Sequence, residues 1–446
     1  MRIEFIHFKG FPPFADQRVT FPRTDDSSVG EVHVITGENG TGKTRLLSGL
    51  AAACGNKADL EKRQTVGVDS NVYVGLLHTN EELLFSTLPS SLLKFPKPNE
   101  RSTYLKNVLA GERRPLQSLN NRGVVVGNLS VQPVSQLSTL AKPNAPFAIQ
   151  AYRGTGRISD QEILAMQPVN FGKPEAHISL ERSVADDKLI CQSMANLKMG
   201  AAMELQSGAP HDQCRSIKLT ERFEAAVGNV TGRPFSFQVV PHPKVHLVVR
   251  WGDATMKLDA LPDGLRAIIS WLVACIAKLE SQFPEHPDPL DIPLTLLLDE
   301  PESHLHPAWQ RQLIPAAQQL FPNSQIFVVT HSPFVISSVN SGWIHVLRLG
   351  KDGLVTASDP VRCSKGDSYI DAVEDVLGLN EWYDPETESL LTRFRKIRND
   401  TIHGKADLPD LEKVANEIAE RSDSLKAMMA REVHQVRGML IEDAKN

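Results

Sequence analysis

Polar and apolar positions alternate from Arg2 to Lys9 (RIEFIHFK), which predicts a strand with one buried face. A second strand is predicted at EVHVIT (31–36); it runs into the glycine-rich GENGTGKT and then into the helical pattern RLLSGLAAAC. Residues from about 56 to 145 are rich in Pro, Asn and Ser with only short apolar pieces, and the pattern assigns them no element. FAIQAYRGTGR (147–157) opens as a strand, and a mostly helical segment follows to about 227. FSFQVV and VHLVVRW then read as a hairpin pair split by PHPK. Beyond the turn LPDG an apolar helix is expected to begin near Leu265. The uncharged run LTLLL (294–298) is what a strand covered on both faces needs, and QIFVVT repeats it after a helix starting at Pro307. WIHVLRLGKDGLVTASD reads as a hairpin, and Ser364 to the end as helical. Strands alternating with helices predict an α/β fold around a parallel sheet.

Composition narrows the classes without naming one. The chain has 446 residues and a formal net charge of −5, so a polybasic nucleic-acid coat is excluded while a local basic groove is not. Its five cysteines stand far apart with no Cys-x-x-Cys pair, against a zinc knuckle or a disulfide framework. A reduced, cytoplasmic setting fits. The N-terminus lacks the apolar core of a signal peptide, and the longest nearly apolar run, Ala267 to Ala277, is too short to span a membrane.

The chemistry concentrates at three places. Gly37-x-x-x-x-Gly42-Lys43-Thr44 is a P-loop pattern between a strand and a helix. There the backbone of Gly37, Glu38, Asn39, Gly40, Thr41 and Gly42 can turn its N–H groups toward one phosphate, Lys43 supplies a cation and Thr44 a hydroxyl for Mg²⁺. At the carboxyl end of LTLLL stand Asp299 and Glu300, a Walker B arrangement: Asp299 for the Mg²⁺ shell, Glu300 to orient or deprotonate the attacking water. A rival reading groups the two acids with His304 and His306 as a zinc site. His331 ends the next buried strand, expected to lie beside that of Asp299, where it can reach a γ-phosphate or the water. Asp263 and Gly264 head an apolar helix with no side-chain cap in sight. They are expected to close the nucleotide of a second copy, giving a head-to-tail dimer with ATP between subunits.

In this order the motifs resemble the ABC-type ATPase heads of the SMC, RecF and OLD lineage, over most of residues 1–345. HFKGF (7–11) is similar to the opening of those heads, and LPDG (261–264) stands where transporters carry Leu-Ser-Gly-Gly. AYRGTGR (151–157), DEPESHLHPAWQ (299–310) and FPNSQIFVVTHSP (321–333) resemble more specifically the stand-alone ATPases of bacterial anti-phage defence, of the Septu (PtuA-like) and retron-linked kinds. The resemblance implies a P-loop NTPase head over 1–345, with helical insertions at about 56–145 and 158–230. A hairpin and helical region over 346–446 would serve partner or self association. It implies ATP and Mg²⁺ as cofactors, Gln150 as a further Mg²⁺ ligand that senses the γ-phosphate, and Arg153 and Arg157 as residues reaching phosphate or the dimer partner. The partners it implies are a second copy or a higher oligomer, and a separate effector: an HNH nuclease, or a reverse transcriptase with its RNA–DNA product. Nucleic acid is expected in the assembly and a membrane is not.

Two departures matter. The 158–230 segment is too short for a long coiled-coil arm, and nothing after His331 supplies the spaced carboxylates of an OLD-type nuclease. RNDTIHG contains Arg398 and His403 at the Arg-x4-His spacing of HEPN ribonucleases, beside a helix-ending Gly404 and the apolar stripe Leu411, Val414, Ile418, Leu425. Three classes stay open: a dimeric ATPase switch that regulates an effector nuclease, a RecF-like ATP-gated DNA-binding protein, and an ATPase-gated ribonuclease using Arg398 and His403.

Overall fold

The computed structural model describes residues 2–54 except 25 and 27, short pieces at 71–78, 81–86, 125–126, 148–151, 163 and 177–179, and 184–443 except 209, 243, 364–369, 371, 378–382, 404 and 406. The chain opens with β1 (Arg2–Phe11) and β2 (Phe14–Thr20), an antiparallel pair, followed by β3 (Glu31–Gly37) and α1 (Lys43–Ala53). Next come β4 (Asn71–His78), β5 (Glu81–Ser86), β6 (Val125–Val126), β7 (Ala148–Ala151) and β8 (His177–Ser179). Helices α2 (Val184–Gln206) and α3 (Arg215–Thr231) lead to β9 (Phe235–Val240), β10 (His246–Trp251) and β11 (Ala254–Lys257). Then follow α4 (Asp263–Gln282), β12 (Leu294–Asp299), α5 (Pro307–Leu320) and β13 (Ser324–Val329). Strands β14 (Gly342–Leu349), β15 (Val355–Ala357) and β16 (Val361–Arg362) precede three helices, α6 (Pro385–Ile402), α7 (Leu408–Ala419) and α8 (Asp423–Asp443).

The central sheet runs β15-β14-β3-β13-β12-β7-β8, with β16 also on β14. From β14 to β8 every neighbouring pair is parallel, while β15 and β16 run antiparallel to β14. Alternation explains why both faces are dry. Val32, Val34, Leu296, Leu298, Ile326 and Val328 enter one core with helices α2 to α5, while Ile35, Leu297, Phe327, Val329 and Leu347 enter another with α1, β1 and β2. A second sheet, β2-β1-β4-β5-β6, and a third, β11-β10-β9, complete the strands.

Polar groups fasten β1 to the central sheet. Gln325 Nε2 donates to the Ile3 carbonyl while its Oε1 accepts from the Ile3 N–H, both at 2.8 Å, and Arg2 pairs with Glu31 at 2.7 Å. His33 and His345 are buried here 3.2 Å apart, and burial holds both below the usual histidine range.

Within the stretch expected as the first insertion, 71–78 and 81–86 form β4 and β5, paired to β1 and to each other. From residue 184 the stretch expected as the second helical insertion packs on the sheet: Ile190, Met194, Leu219 and Phe223 belong to the same core. The break expected at 345/346 falls inside β14, which pairs with β3. The division into compact units comes instead after Leu377, leaving Gly378–Asn446 as a helical unit with its own core of Leu391, Phe394, Leu411, Val414 and Ile418. A strand hydrogen-bonded into a sheet cannot open a new domain. Among the described residues no helix is long and apolar enough to cross a membrane. All five cysteines are free and buried, and burial pushes the thiols of Cys54 and Cys275 up to about 12.

Candidate functional site

Parallel order places three chemical groups at the same end of adjacent strands. The P-loop leaves the carboxyl end of β3, His331 follows β13, and Asp299 ends β12, with Ile35 registered to Val329 and Val329 to Asp299. Crevices at the carboxyl ends of such strands are where open α/β sheets bind ligands. Gln150 lies on the next strand, β7, in register with Leu297, two residues before Asp299. Arg153 and Arg157 lie outside the described residues.

The loop between β3 and α1 is shaped by glycine. Gly37, Gly40 and Gly42 have φ of 146°, 85° and 83°. A Cβ on Gly37 would stand 2.1 Å from the Leu347 carbonyl oxygen on β14, so no other residue fits there without moving that strand. Gly42 caps α1 with no side-chain hydrogen bond, so the first N–H groups of the helix retain no capping acceptor from that residue. Lys43 is buried, its ammonium donating to the Gly37 and Glu38 carbonyls at 2.9 and 2.7 Å. Thr41 is also buried and donates to Glu38 O at 2.8 Å, while Glu38, Asn39 and Gly40 are exposed and Thr44 half-buried.

Asp299 is buried at the end of β12, and the chain turns sharply after it: Glu300 has φ 47° and His304 φ 70°. Left-handed backbone at side-chain-bearing residues is costly and persists where the surroundings hold it. Here Glu300 N–H donates to Val329 O at 2.8 Å and Ser303 N–H to Glu300 O at 3.1 Å. His306 caps α5, its Nδ1 accepting from Ala308 N–H at 3.2 Å. Among the described residues no group of three or more His, Cys, Asp or Glu is placed to hold a metal, so nothing supports the zinc alternative at His304 and His306. Mg²⁺ differs, since one or two protein oxygens suffice when substrate phosphates supply the rest.

Helix α4 begins at Asp263, two residues earlier than expected, because Pro262 (φ −54°) presets the entry and an acid in the first turn suits the helix dipole. Arg266 lies 3.9 Å from Asp263 and 3.7 Å from Asp259. A Cβ on Gly264 would meet the His304 carbonyl oxygen at 3.1 Å, Leu305 Cδ2 at 3.2 Å and the Trp309 ring at 3.3 Å. The helix start thus rests on the segment that follows the acidic pair.

Reading by motif missed Glu302, three residues after Asp299. It is 6% exposed, and burial raises its carboxyl to about 7, opposed by hydrogen bonds from Thr330 and from the backbone of Glu302 and His331, and reinforced by the charge of Glu300. Nothing in the polar string DEPES marks one acid as buried. In the C-terminal unit Arg398 lies 3.2 Å from Glu432, and His403 caps α6 with Nδ1 against Asn399 O at 2.7 Å. Gly404 lies outside the described residues.

Residues 193–337 match the family described as "AAA domain, putative AbiEii toxin, Type IV TA system". The chain is 31% identical over 117 residues to the retron Ec83 probable ATPase of Escherichia coli, covering 26% of this chain and 22% of that protein. It is 24% identical over 165 residues to the Septu protein PtuA of Bacillus thuringiensis, covering 36% and 42%. Over these stretches the chain is similar to that AAA-domain family and to proteins of retron and Septu systems. The matches to these curated relatives span less than half of each relative's length. Among solved structures, the SMC head domain from Thermotoga maritima is similar with a TM-score of 0.39 at 14% identity, over 80% of this chain and 99% of that one.

Proposed function

We propose that the chain binds and hydrolyses ATP as a dimeric switch that assembles with, and regulates, a separate effector nuclease in anti-phage defence. The observation that carries this reading is the meeting of the P-loop, the acidic pair and His331 at the carboxyl ends of β3, β12 and β13. In it the loop from Gly37 to Thr44 cradles the phosphates, and Lys43, now held by loop carbonyls, turns its ammonium to the β- and γ-phosphates. The donor set suits Mg²⁺, a hard cation: the Thr44 hydroxyl and the buried Asp299 carboxylate would hold it, with Gln150, and it would neutralise developing phosphate charge. Glu300 orients or deprotonates the water and His331 contacts the γ-phosphate. Asp263 and Gly264 close the site of the second copy.

The resemblance to Septu and retron ATPases supports the effector assignment, an HNH nuclease or a reverse transcriptase with its RNA–DNA. Glu300→Gln should lower ATP turnover about a hundredfold or more while retaining ATP and stabilising the dimer in gel filtration. Unchanged turnover would remove Glu300 from its role. A Lys43→Ala chain mixed with a Gly264→Arg chain should restore one working site, and failure to complement would refute sharing across subunits. Tight, salt-sensitive DNA binding without a partner would favour the RecF-like reading. RNA cleavage lost in Arg398→Ala or His403→Ala would favour the ribonuclease.

A further inference from the structure

We infer that Glu302 is a positioning residue: through Thr330 it holds the backbone that carries His331 and ties it to the segment under the Gly264 helix start. The inference rests on the ATP-hydrolysing reading and adds to it a residue that reading leaves idle.

A carboxyl group buried to 6% exposure is expensive to keep unless something uses it. Its Oε1 accepts a hydrogen bond from the Thr330 hydroxyl, and Thr330 is itself fully buried. That hydroxyl also accepts from Ser332 N–H at 2.9 Å, and Thr330 N–H donates to Ile35 O of β3 at 3.2 Å. The residues on both sides of His331 are therefore pinned, one of them to the strand that leads into the P-loop. The remaining bonds close a ring. Ser332 Oγ donates to Gln310 Oε1 at 2.6 Å, Gln310 Nε2 to Leu305 O at 2.9 Å, and Leu305 N–H to Glu302 O at 3.0 Å. Leu305 and its neighbours His304 and Trp309 are what a side chain at Gly264 would strike. One continuous hydrogen-bonded unit thus spans the strand of the P-loop, the peptide of His331 and the support of the α4 start.

What this arrangement asks of Glu302 is an acceptor at Oε1 for the Thr330 hydroxyl. Glutamine keeps that acceptor and alanine removes it. Thr330→Val removes the donor at nearly constant volume.

The test measures Mg-ATP turnover and thermal unfolding of the full chain for the wild type, Glu302→Gln, Glu302→Ala, Thr330→Val, His331→Ala and Glu302→Ala/His331→Ala. Expected are a kcat within about threefold of wild type for Glu302→Gln, and losses of about tenfold for Glu302→Ala and Thr330→Val with KM within about threefold. In the His331→Ala background the Glu302→Ala change should cost nothing further. Should Glu302→Ala fail to fold, Thr330→Val decides alone. Wild-type kcat in Glu302→Ala or Thr330→Val, losses that multiply with that of His331→Ala, or a Glu302→Gln loss equal to that of alanine would each overturn the inference. A wild type without Mg-ATP turnover removes the hydrolysis reading and this one together, whereas an active wild type beside an active Glu302→Ala removes only this one.

Discussion

Replacing Glu302 by Gln should flatten part of the pH dependence of folding stability. In the folded chain burial raises this carboxyl from 4.5 to about 7. Below about pH 4.5 it is protonated both folded and unfolded and carries no penalty. Between 4.5 and 7 the unfolded chain ionises while the folded one stays protonated, so stability falls as pH rises; above 7 the loss is complete. The displacement of about 2.5 pH units, at about 1.4 kcal/mol each, makes the whole effect roughly 3 kcal/mol. The wild type should therefore lose roughly 3 kcal/mol against Glu302→Gln between pH 4.5 and pH 7.5. Glu280, which burial also raises to about 7, is present in both chains and cancels. Urea unfolding followed by tryptophan fluorescence measures the difference, because Trp251, Trp271, Trp309 and Trp343 all lie in the unit ending at Leu377. A gap between the two chains that stays constant from pH 4.5 to 7.5 would show that burial does not raise this carboxyl.

Other substitutions probe the frame and the loop. Leu297→Ala should cost about 2–5 kcal/mol in the same urea assay, since Leu297 is fully buried between the central sheet and α1; a loss below 1 kcal/mol would mean that this face is not packed. Gly37→Ala should lower the melting temperature and abolish binding of a fluorescent ATP analogue, because its Cβ would overlap the Leu347 carbonyl; binding at wild-type strength would refute the close approach. Lys43→Ala should leave the fold intact by circular dichroism while ATP binding in calorimetry weakens at least about tenfold. Unaltered affinity would detach the P-loop from nucleotide.

Much of the frame was legible because its signals are local. The alternation in β1, the runs in β12 and β13, the glycines of the P-loop and the Pro307 helix start are written in residues that touch one another along the chain. Pairing across long separations was not. Strands β4 and β5 carry weak patterns and become strands by hydrogen-bonding to β1 and to each other, about 70 residues from the chain start. The boundary after Leu377 was hidden because the WIHVLRL hairpin reads the same whether it ends one domain or begins another.

The acids show the same division within a few residues. Sequence alone determined that Asp299 and Glu300 would emerge at a strand end and that a glycine-rich loop would follow β3, because strand period and loop chemistry are properties of consecutive residues. Only the tertiary structure decided that Glu302 is buried under Thr330 and that the Gly264 helix start rests on the segment from His304 to Trp309. Burial and close approach depend on which distant segments fold over a residue, and a side chain's own neighbours in sequence carry no record of that.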